Sequence, residues 1–200
     1  LSRTYSLAKQ RPRMTTYDRT PVVELTRPGI RGRDLVLKRA FDAVVASLLL
    51  LALSPLLIVV AILVKRSSPG PALFQQERVG YAGRRFRIYK FRTMCKDAEE
   101  RLEELRDESL YDDHRLFKIV HDPRVTPLGR FLRKSSLDEL PQLFNVLGGS
   151  MSLVGPRPPL PGEVALYGNS SFLRFDVKPG IPGPWHVNGR NEITSFDAVI

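Results

Sequence analysis

One cysteine, one tryptophan and three histidines in 200 residues remove several classes of protein at the outset. Cys95 on its own excludes an internal disulfide framework and a cysteine-rich zinc site, and no histidine has a second ligand at metal spacing. A free thiol suits a reducing compartment. Acidic residues are also scarce: 21 Asp and Glu against 31 Lys and Arg leave a net charge of +10. That surplus points to a polyanionic partner, whether nucleic acid, anionic lipid or a phosphorylated substrate. Internal repeats are absent, and so are long apolar runs, with one exception. With 42% hydrophobic and 26% charged residues, the chain is neither wholly disordered nor a polytopic membrane protein. Its length suits one compact domain with a small accessory element.

What is present is unevenly spread. Between Leu1 and Ala40 ten basic residues face three acidic ones, so this stretch holds most of the net charge. It also carries Pro12, Pro21 and Pro28 and has no helical or alternating period. Residues 1–34 are therefore expected to be a basic, flexible N-terminal segment or linker, and not a signal peptide, since no apolar stretch follows closely enough. Both ends of the chain read as possible cut points in a longer protein.

The exception is Ala43 to Val64, 22 residues without a charge. As a straight helix it would reach roughly 33 Å, the thickness of a bilayer's hydrocarbon. Ser54-Pro55 lies almost at its middle, and proline deletes a helix hydrogen bond. Lys38-Arg39 precede the run and Lys65-Arg66 follow it, without the asymmetry that orients a spanning helix. Two readings stay open: a helix-break-helix hairpin over residues 35–66 that dips into one leaflet, and a proline-kinked single pass. Asp42, at the mouth of the run, either caps the helix or pairs with Lys38 or Arg39.

Residues 67–200 form the soluble part. Ala72–Val79 and Arg84–Phe91 predict a β-hairpin around Gly80-Tyr81-Ala82-Gly83, with Phe86 and Ile88 on one face and Arg85, Arg87 and Tyr89 on the other. Asp97–Leu110 predicts a charged, solvated helix. Leu128–Lys134 predicts an amphipathic helix with Leu128, Phe131 and Leu132 on one side, packed on a core or laid on an anionic surface. Three groups of residues carry chemistry. A helix from Ser135 to Leu147 would open with hydroxyls, the adjacent carboxylates Asp138 and Glu139, and Pro141. Acids there simply complement the helix dipole unless cations stand beside them, and Arg133, Lys90, Arg92 and Arg157 are candidates. Carboxylates beside phosphate-binding cations suggest phosphoryl transfer, with a divalent metal joining acid to substrate. Arg157 lies in a rigid Pro-Arg-Pro, although such a turn is also a common surface salt bridge. Finally, the segment from Lys178 to Arg190 holds Trp185, His186 and Arg190 in a glycine-proline loop that closes over a nucleotide or packs the tail.

Taken together, Lys38-Arg39-Ala40-Phe41-Asp42 with the Ser54-Pro55 run, Lys90-Phe91-Arg92-Thr93-Met94, Asp122 to Arg130, Ser136-Leu137-Asp138-Glu139-Leu140-Pro141-Gln142, Met151 to Pro158 and Lys178 to Gly183 resemble the bacterial sugar transferase family. These are the monotopic polyprenyl-phosphate phosphoglycosyl transferases, and the match covers roughly residues 35–195. The resemblance implies an α+β, helix-rich fold: a re-entrant membrane hairpin broken at Ser54 and Pro55, and a small cytoplasmic catalytic domain over residues 67–200, C-terminally incomplete, with a short β-hairpin. It implies transfer of a sugar-1-phosphate from a UDP-sugar to undecaprenyl phosphate in the inner leaflet of the cytoplasmic membrane, releasing UMP and starting a surface glycan; nucleic acid is not an expected partner. Asp138 would be the nucleophile, and Glu139 its partner in holding Mg²⁺. Lys90, Arg133 and Arg157 match positions that contact phosphates or stabilise the site, and Arg190 would close the cleft. Pro184-Trp185-His186 stands where relatives commonly have Leu-Trp-Gln, which bears on nucleotide or sugar choice. Two rival classes are a non-catalytic membrane adaptor, indifferent to the loss of Asp138, and a single-pass protein with an external domain.

Overall fold

The computed structural model of the chain describes residues 11–17, 20–26, 32–102, 119, 122–167 and 169–183. Strand β1 (Arg11–Tyr17) pairs antiparallel with β2 (Thr20–Thr26). Both strands fall within residues 1–34, the segment expected as a basic lead-in. Thr15, Thr16, Val22 and Val23 are β-branched and favour extended backbone. Pro12 and Pro21 are tolerated because both strands of a two-stranded ribbon are edges, where a missing N–H costs little.

Helix α1 (Arg33–Ser67) is 35 residues long and contains the whole apolar run. It continues through Pro55 without interruption, so the break expected at Ser54-Pro55 is not a break in the helix. Pro55 lacks the N–H that would bond the Leu51 carbonyl, four residues back. The Ser54 hydroxyl takes that carbonyl instead, at 2.8 Å. The serine-proline pair thus repairs locally the bond the proline removes, which matters most where no water is at hand.

One stripe of α1 faces the rest of the chain. Asp42, Ala46, Val60 and Val64 are buried, whereas Leu50, Leu53 and Leu57 between them are only half-buried. Burial is deepest towards the two ends and slackens around Pro55. The other faces are open, with Leu51, Ile58 and Leu48 among the most exposed residues.

Strands β3 (Leu73–Val79) and β4 (Arg85–Phe91) form the expected hairpin, in register from Leu73 opposite Phe91 to Val79 opposite Arg85. Ile88 is buried and Phe86 packs beside it, while Arg85 and Arg87 are exposed, as their alternation predicts. Helix α2 (Pro127–Lys134) is capped by Thr126, whose hydroxyl accepts the Gly129 N–H at 2.9 Å. Its buried stripe runs through Leu128 and Leu132, with Gly129 pressed on the Thr93 carbonyl. Phe131 therefore falls outside the stripe and is exposed beside Arg130 and Lys134, contrary to its expected place with the two leucines. Of the helix expected over Asp97–Leu110, a short 3₁₀ turn at Glu100–Leu102 is present; residues 103–110 lie outside the described residues.

Helix α3 (Gln142–Leu147) follows a 3₁₀ turn at Leu137–Glu139, and a short α4 (Pro161–Val164) and a 3₁₀ segment (Asn169–Asp176) complete the chain described. The core has two parts. Ala46 of α1 meets Ile88, Leu143, Val146 and Met151, and further along the same helix Val60 and Val64 meet Phe91 and Leu132. Near the C-terminus the backbones of Gly155, Gly180 and Gly183 touch so closely that a Cβ on any of them would strike backbone of the opposite segment. Lys178–Gly183 thus packs against Ser152–Pro156; the rest of that loop, residues 184–190, lies outside the described residues.

Candidate active site

The two acids that opened the candidate helix sit in the Leu137–Glu139 turn, not in the first turn of one regular helix from Ser135. Ser136 enters the turn with φ 58°, the left-handed region, and its hydroxyl caps nothing in the helix. The chain then passes through Leu140 and Pro141 into α3 by i to i+3 hydrogen bonds. Proline fits here because its fixed φ suits a helical entry. The turn buries both carboxylates: Asp138 is 5% and Glu139 8% exposed. Burial of two adjacent acids is costly unless cations or hydrogen bonds offset it.

One cation is supplied by β4. Lys90 donates from Nζ to Oε1 of Glu139 at 2.9 Å. Lys90 shares the inward face of the strand with Ile88 and Phe86, so the register that buries the core also aims the ammonium at the dyad.

What holds β4 against α3 is a residue that the sequence did not single out. Asn145, 4% exposed, accepts the Tyr89 N–H at 3.0 Å and donates to the Arg87 carbonyl at 2.7 Å. Its amide imitates the pairing of a third strand along the free edge of β4. Asn145→Ala is expected to cost about 2–3 kcal/mol, because two strand groups lose their partner in the interior. Asn145→Asp, which keeps the Tyr89 acceptor but sets a buried carboxylate oxygen against the Arg87 carbonyl, should lose at least as much; denaturant unfolding of the two variants measures the difference.

The membrane helix is fastened to the same element. Arg39 donates to the Val146 and Leu147 carbonyls, both at 2.6 Å, closing the C-terminal end of α3. Asp42 accepts from Lys38, four residues back, and from the Ser152 hydroxyl and the Leu153 N–H, more than a hundred residues on. It is therefore not a helix cap. Burial would push its carboxyl up, but the bonds from Lys38, Ser152 and Leu153 outweigh that and hold it below the usual carboxylate range. At the other end of α1, Arg92 donates to the Ser68 and Pro69 carbonyls. Lys38, Arg39 and Arg92 are thus spent on the join between helix and domain; Lys65 and Arg66 are exposed.

Arg133 and Arg157 are each held by a neighbour. Arg133 donates from Nε to the Thr93 hydroxyl at 2.9 Å. Arg157 pairs through both of its Nη atoms with Glu163, at 3.2 to 3.4 Å, and that carboxylate also accepts the Leu160 N–H at 2.8 Å. Arg78 of β3, also missed in the sequence, feels the charges of Arg157, Glu163 and Glu139. Burial and the neighbouring Arg157 charge lower its pKa to about 10. Trp185, His186 and Arg190 lie outside the described residues.

Among the described residues no three metal-ligating side chains come together. Two adjacent carboxylates nevertheless fit magnesium, which is commonly held by one or two carboxylates, with substrate phosphates and water completing its six oxygens. The arrangement is two buried acids, a lysine at one of them, and a group of arginines a short way off.

Comparison with known proteins follows the same residues. The family model described as bacterial sugar transferase matches residues 33–200. The chain is 46% identical over 164 residues to an undecaprenyl-phosphate galactose phosphotransferase of Salmonella typhimurium, covering 78% of this chain and 33% of that protein. It is 42% identical over 160 residues to the exopolysaccharide production protein ExoY of Rhizobium meliloti, covering 78% and 71%. It is 41% identical over 181 residues to a UDP-glucose:undecaprenyl-phosphate glucose-1-phosphate transferase of Escherichia coli, covering 88% and 36%. The chain thus spans about a third of the length of two of these relatives.

Proposed function

Since the chain belongs to the bacterial sugar transferase family, we propose that it moves a hexose-1-phosphate from a UDP-hexose to undecaprenyl phosphate through an acyl phosphate on Asp138. The observation that carries this is the buried Asp138–Glu139 pair with Lys90 at 2.9 Å from Glu139, because a nucleophile and cations at one turn are what phosphoryl transfer requires. An oxygen of the Asp138 carboxylate bonds to the donor's β-phosphorus. The bond from that phosphorus to the oxygen bridging the α-phosphorus breaks, and UMP leaves with the electron pair. In the second step an oxygen of the polyprenol phosphate attacks the same phosphorus and the Asp138 carboxylate is released. Lys90 and Arg157 bind phosphate oxygens, and Arg190 belongs to the closing loop. Glu139 with Asp138 would hold Mg²⁺, which when bound neutralises charge on the diphosphate.

The acceptor's tail explains the long helix. The helix is apolar enough to cross a bilayer, and if it stayed straight its 35 residues would span about 52 Å, at roughly 1.5 Å per residue. Yet its first turns are tied to Ser152 and the end of α3, and its last turns to Phe91, Leu132 and Arg92. A crossing helix would drag this domain, with Arg85, Arg87, Arg130 and Lys134 exposed, into hydrocarbon, where charge is expensive. We therefore read α1 as entering and leaving by the inner leaflet of the cytoplasmic membrane, bowed at Ser54-Pro55, with the domain on the cytoplasmic face. The dyad then sits where a lipid-borne phosphate emerges.

The test is to incubate membranes holding the protein with UDP-glucose, UDP-galactose and their N-acetyl forms, with undecaprenyl phosphate, and to follow UMP and the lipid product by mass. UMP and a polyprenyl diphosphate sugar from at least one donor, both lost in excess EDTA, are expected. No UMP from any donor contradicts the reading.

A further inference from the structure

The Pro156-Arg157-Pro158-Pro159 segment has an anchoring problem. Three of its four residues are prolines and have no N–H, so it cannot join a regular helix or strand ladder and its carbonyls carry most of its anchoring. All four are taken. The Pro156 carbonyl accepts the Gly180 N–H at 3.1 Å, and the Pro159 carbonyl the Val79 N–H at 3.0 Å. The two in the middle accept from side chains: Arg174 Nη2 donates to the Arg157 carbonyl at 2.9 Å, and Arg78 Nη1 to the Pro158 carbonyl at 3.1 Å.

Both arginines are held in turn. Arg78 donates to Gln76 at 2.5 Å. Arg174 donates to the Tyr167 hydroxyl at 2.9 Å and lies over the Tyr167 ring, 5.6 Å from its centroid. Their guanidinium groups grip the backbone of Arg157 and its neighbour from two different elements, β3 and the 3₁₀ segment after α4. Neither is in an ordinary surface ion pair: each is repelled by the Arg157 charge and by its own burial. Arg78 and Arg174 thus bring two further positive charges beside Arg157, and Glu163 interacts with both.

We propose that Arg78 and Arg174 are positioning residues that preset the Arg157 guanidinium for the donor's diphosphate by bonding the carbonyls of Pro158 and Arg157. This rests on the reading of Arg157 as a donor contact. Preorganisation cuts the ordering cost of binding, so its loss raises the donor KM and leaves the acceptor KM and the chemistry in the bound complex nearly alone.

The experiment is a double-mutant cycle on the full chain in liponanoparticles, with KM for the UDP-sugar, KM for undecaprenyl phosphate and kcat measured for Arg78→Gln, Arg157→Ala and the double variant. Arg78→Gln is expected to raise the donor KM about tenfold, corresponding to about 1.4 kcal/mol, with kcat and acceptor KM within about twofold. In the Arg157→Ala background it should add less than about twofold, because residues acting through one another are not additive. Should Arg78→Gln not accumulate, Arg174→Gln releases the same backbone from the other side and closes the same cycle. Multiplied effects in the double variant, or an equal rise in both KM values, overturn the positioning role. If Arg157→Ala leaves the donor KM unchanged in an enzyme that releases UMP, the donor assignment of Arg157 fails, and this proposal with it. A wild-type protein that releases no UMP instead overturns the function reading itself.

Discussion

Asp138→Asn is expected to lower UMP release by about 10⁴-fold or more, since an amide oxygen cannot form an acyl phosphate that turns over. The near-identical shape of asparagine at a residue only 5% exposed keeps the turn and its packing, so thermal unfolding should move little. Loss of activity with an intact fold separates a chemical role from a structural one. Glu139→Gln is the useful companion: it removes the negative charge that pairs with the Lys90 ammonium, and a smaller loss that excess Mg²⁺ partly restores is expected. UMP release from Asp138→Asn at the wild-type rate would remove the covalent route through Asp138.

The second large effect belongs to the join between membrane helix and domain. Asp42 is 3% exposed and accepts three hydrogen bonds, two of them from Ser152 and the Leu153 N–H beyond the dyad helix. Asp42→Ala leaves a half-buried ammonium, a buried hydroxyl and a backbone amide without their shared acceptor, and about 3 kcal/mol of stability should go with them. The pH dependence has a definite sign. The carboxyl's folded-state pKa is lowered, so its contribution is complete above the unfolded value, declines as pH falls through the carboxylate range and is gone below the lowered folded value. Acid unfolding of wild type should therefore show a limb that Asp42→Ala lacks. Identical acid limbs would mean that the Lys38–Asp42–Ser152 contacts carry no net stability.

Local pattern made part of this legible. The β3–β4 hairpin follows from alternation around glycines, α2 from a threonine cap, a proline and apolar residues at i and i+4, and the apolar run from its length alone. The strands at Arg11–Tyr17 and Thr20–Thr26 were hidden by prolines that would break a central strand but not an edge. The turn at Leu137–Glu139 reads as helix in the sequence because serine looks like a cap, whereas Ser136 adopts a left-handed backbone to turn the chain. Phe131 has helical spacing with Leu128 and Leu132 but faces out, since the contact with Thr93 is set by Gly129. Arg78, Arg174 and Asn145 were invisible for one reason: each satisfies backbone groups of another segment, 80 residues away for Arg78 and 58 for the Asn145–Arg87 bond. Nothing local distinguishes such an arginine among 31 basic residues. The acids of the dyad were visible as first-turn residues, but their pairing with Lys90 needs the strand register, and their chemistry was suggested by the motif around them.

The most direct measurement supplies the protein with a UDP-sugar carrying a radioactive β-phosphate, omits the polyprenol phosphate, and reads the intact protein's mass after quenching. The account predicts one hexose phosphate per protein, located on the peptide containing Asp138 and discharged when undecaprenyl phosphate is added. UMP release and lipid product at full rate, with the protein unlabelled throughout, would contradict it.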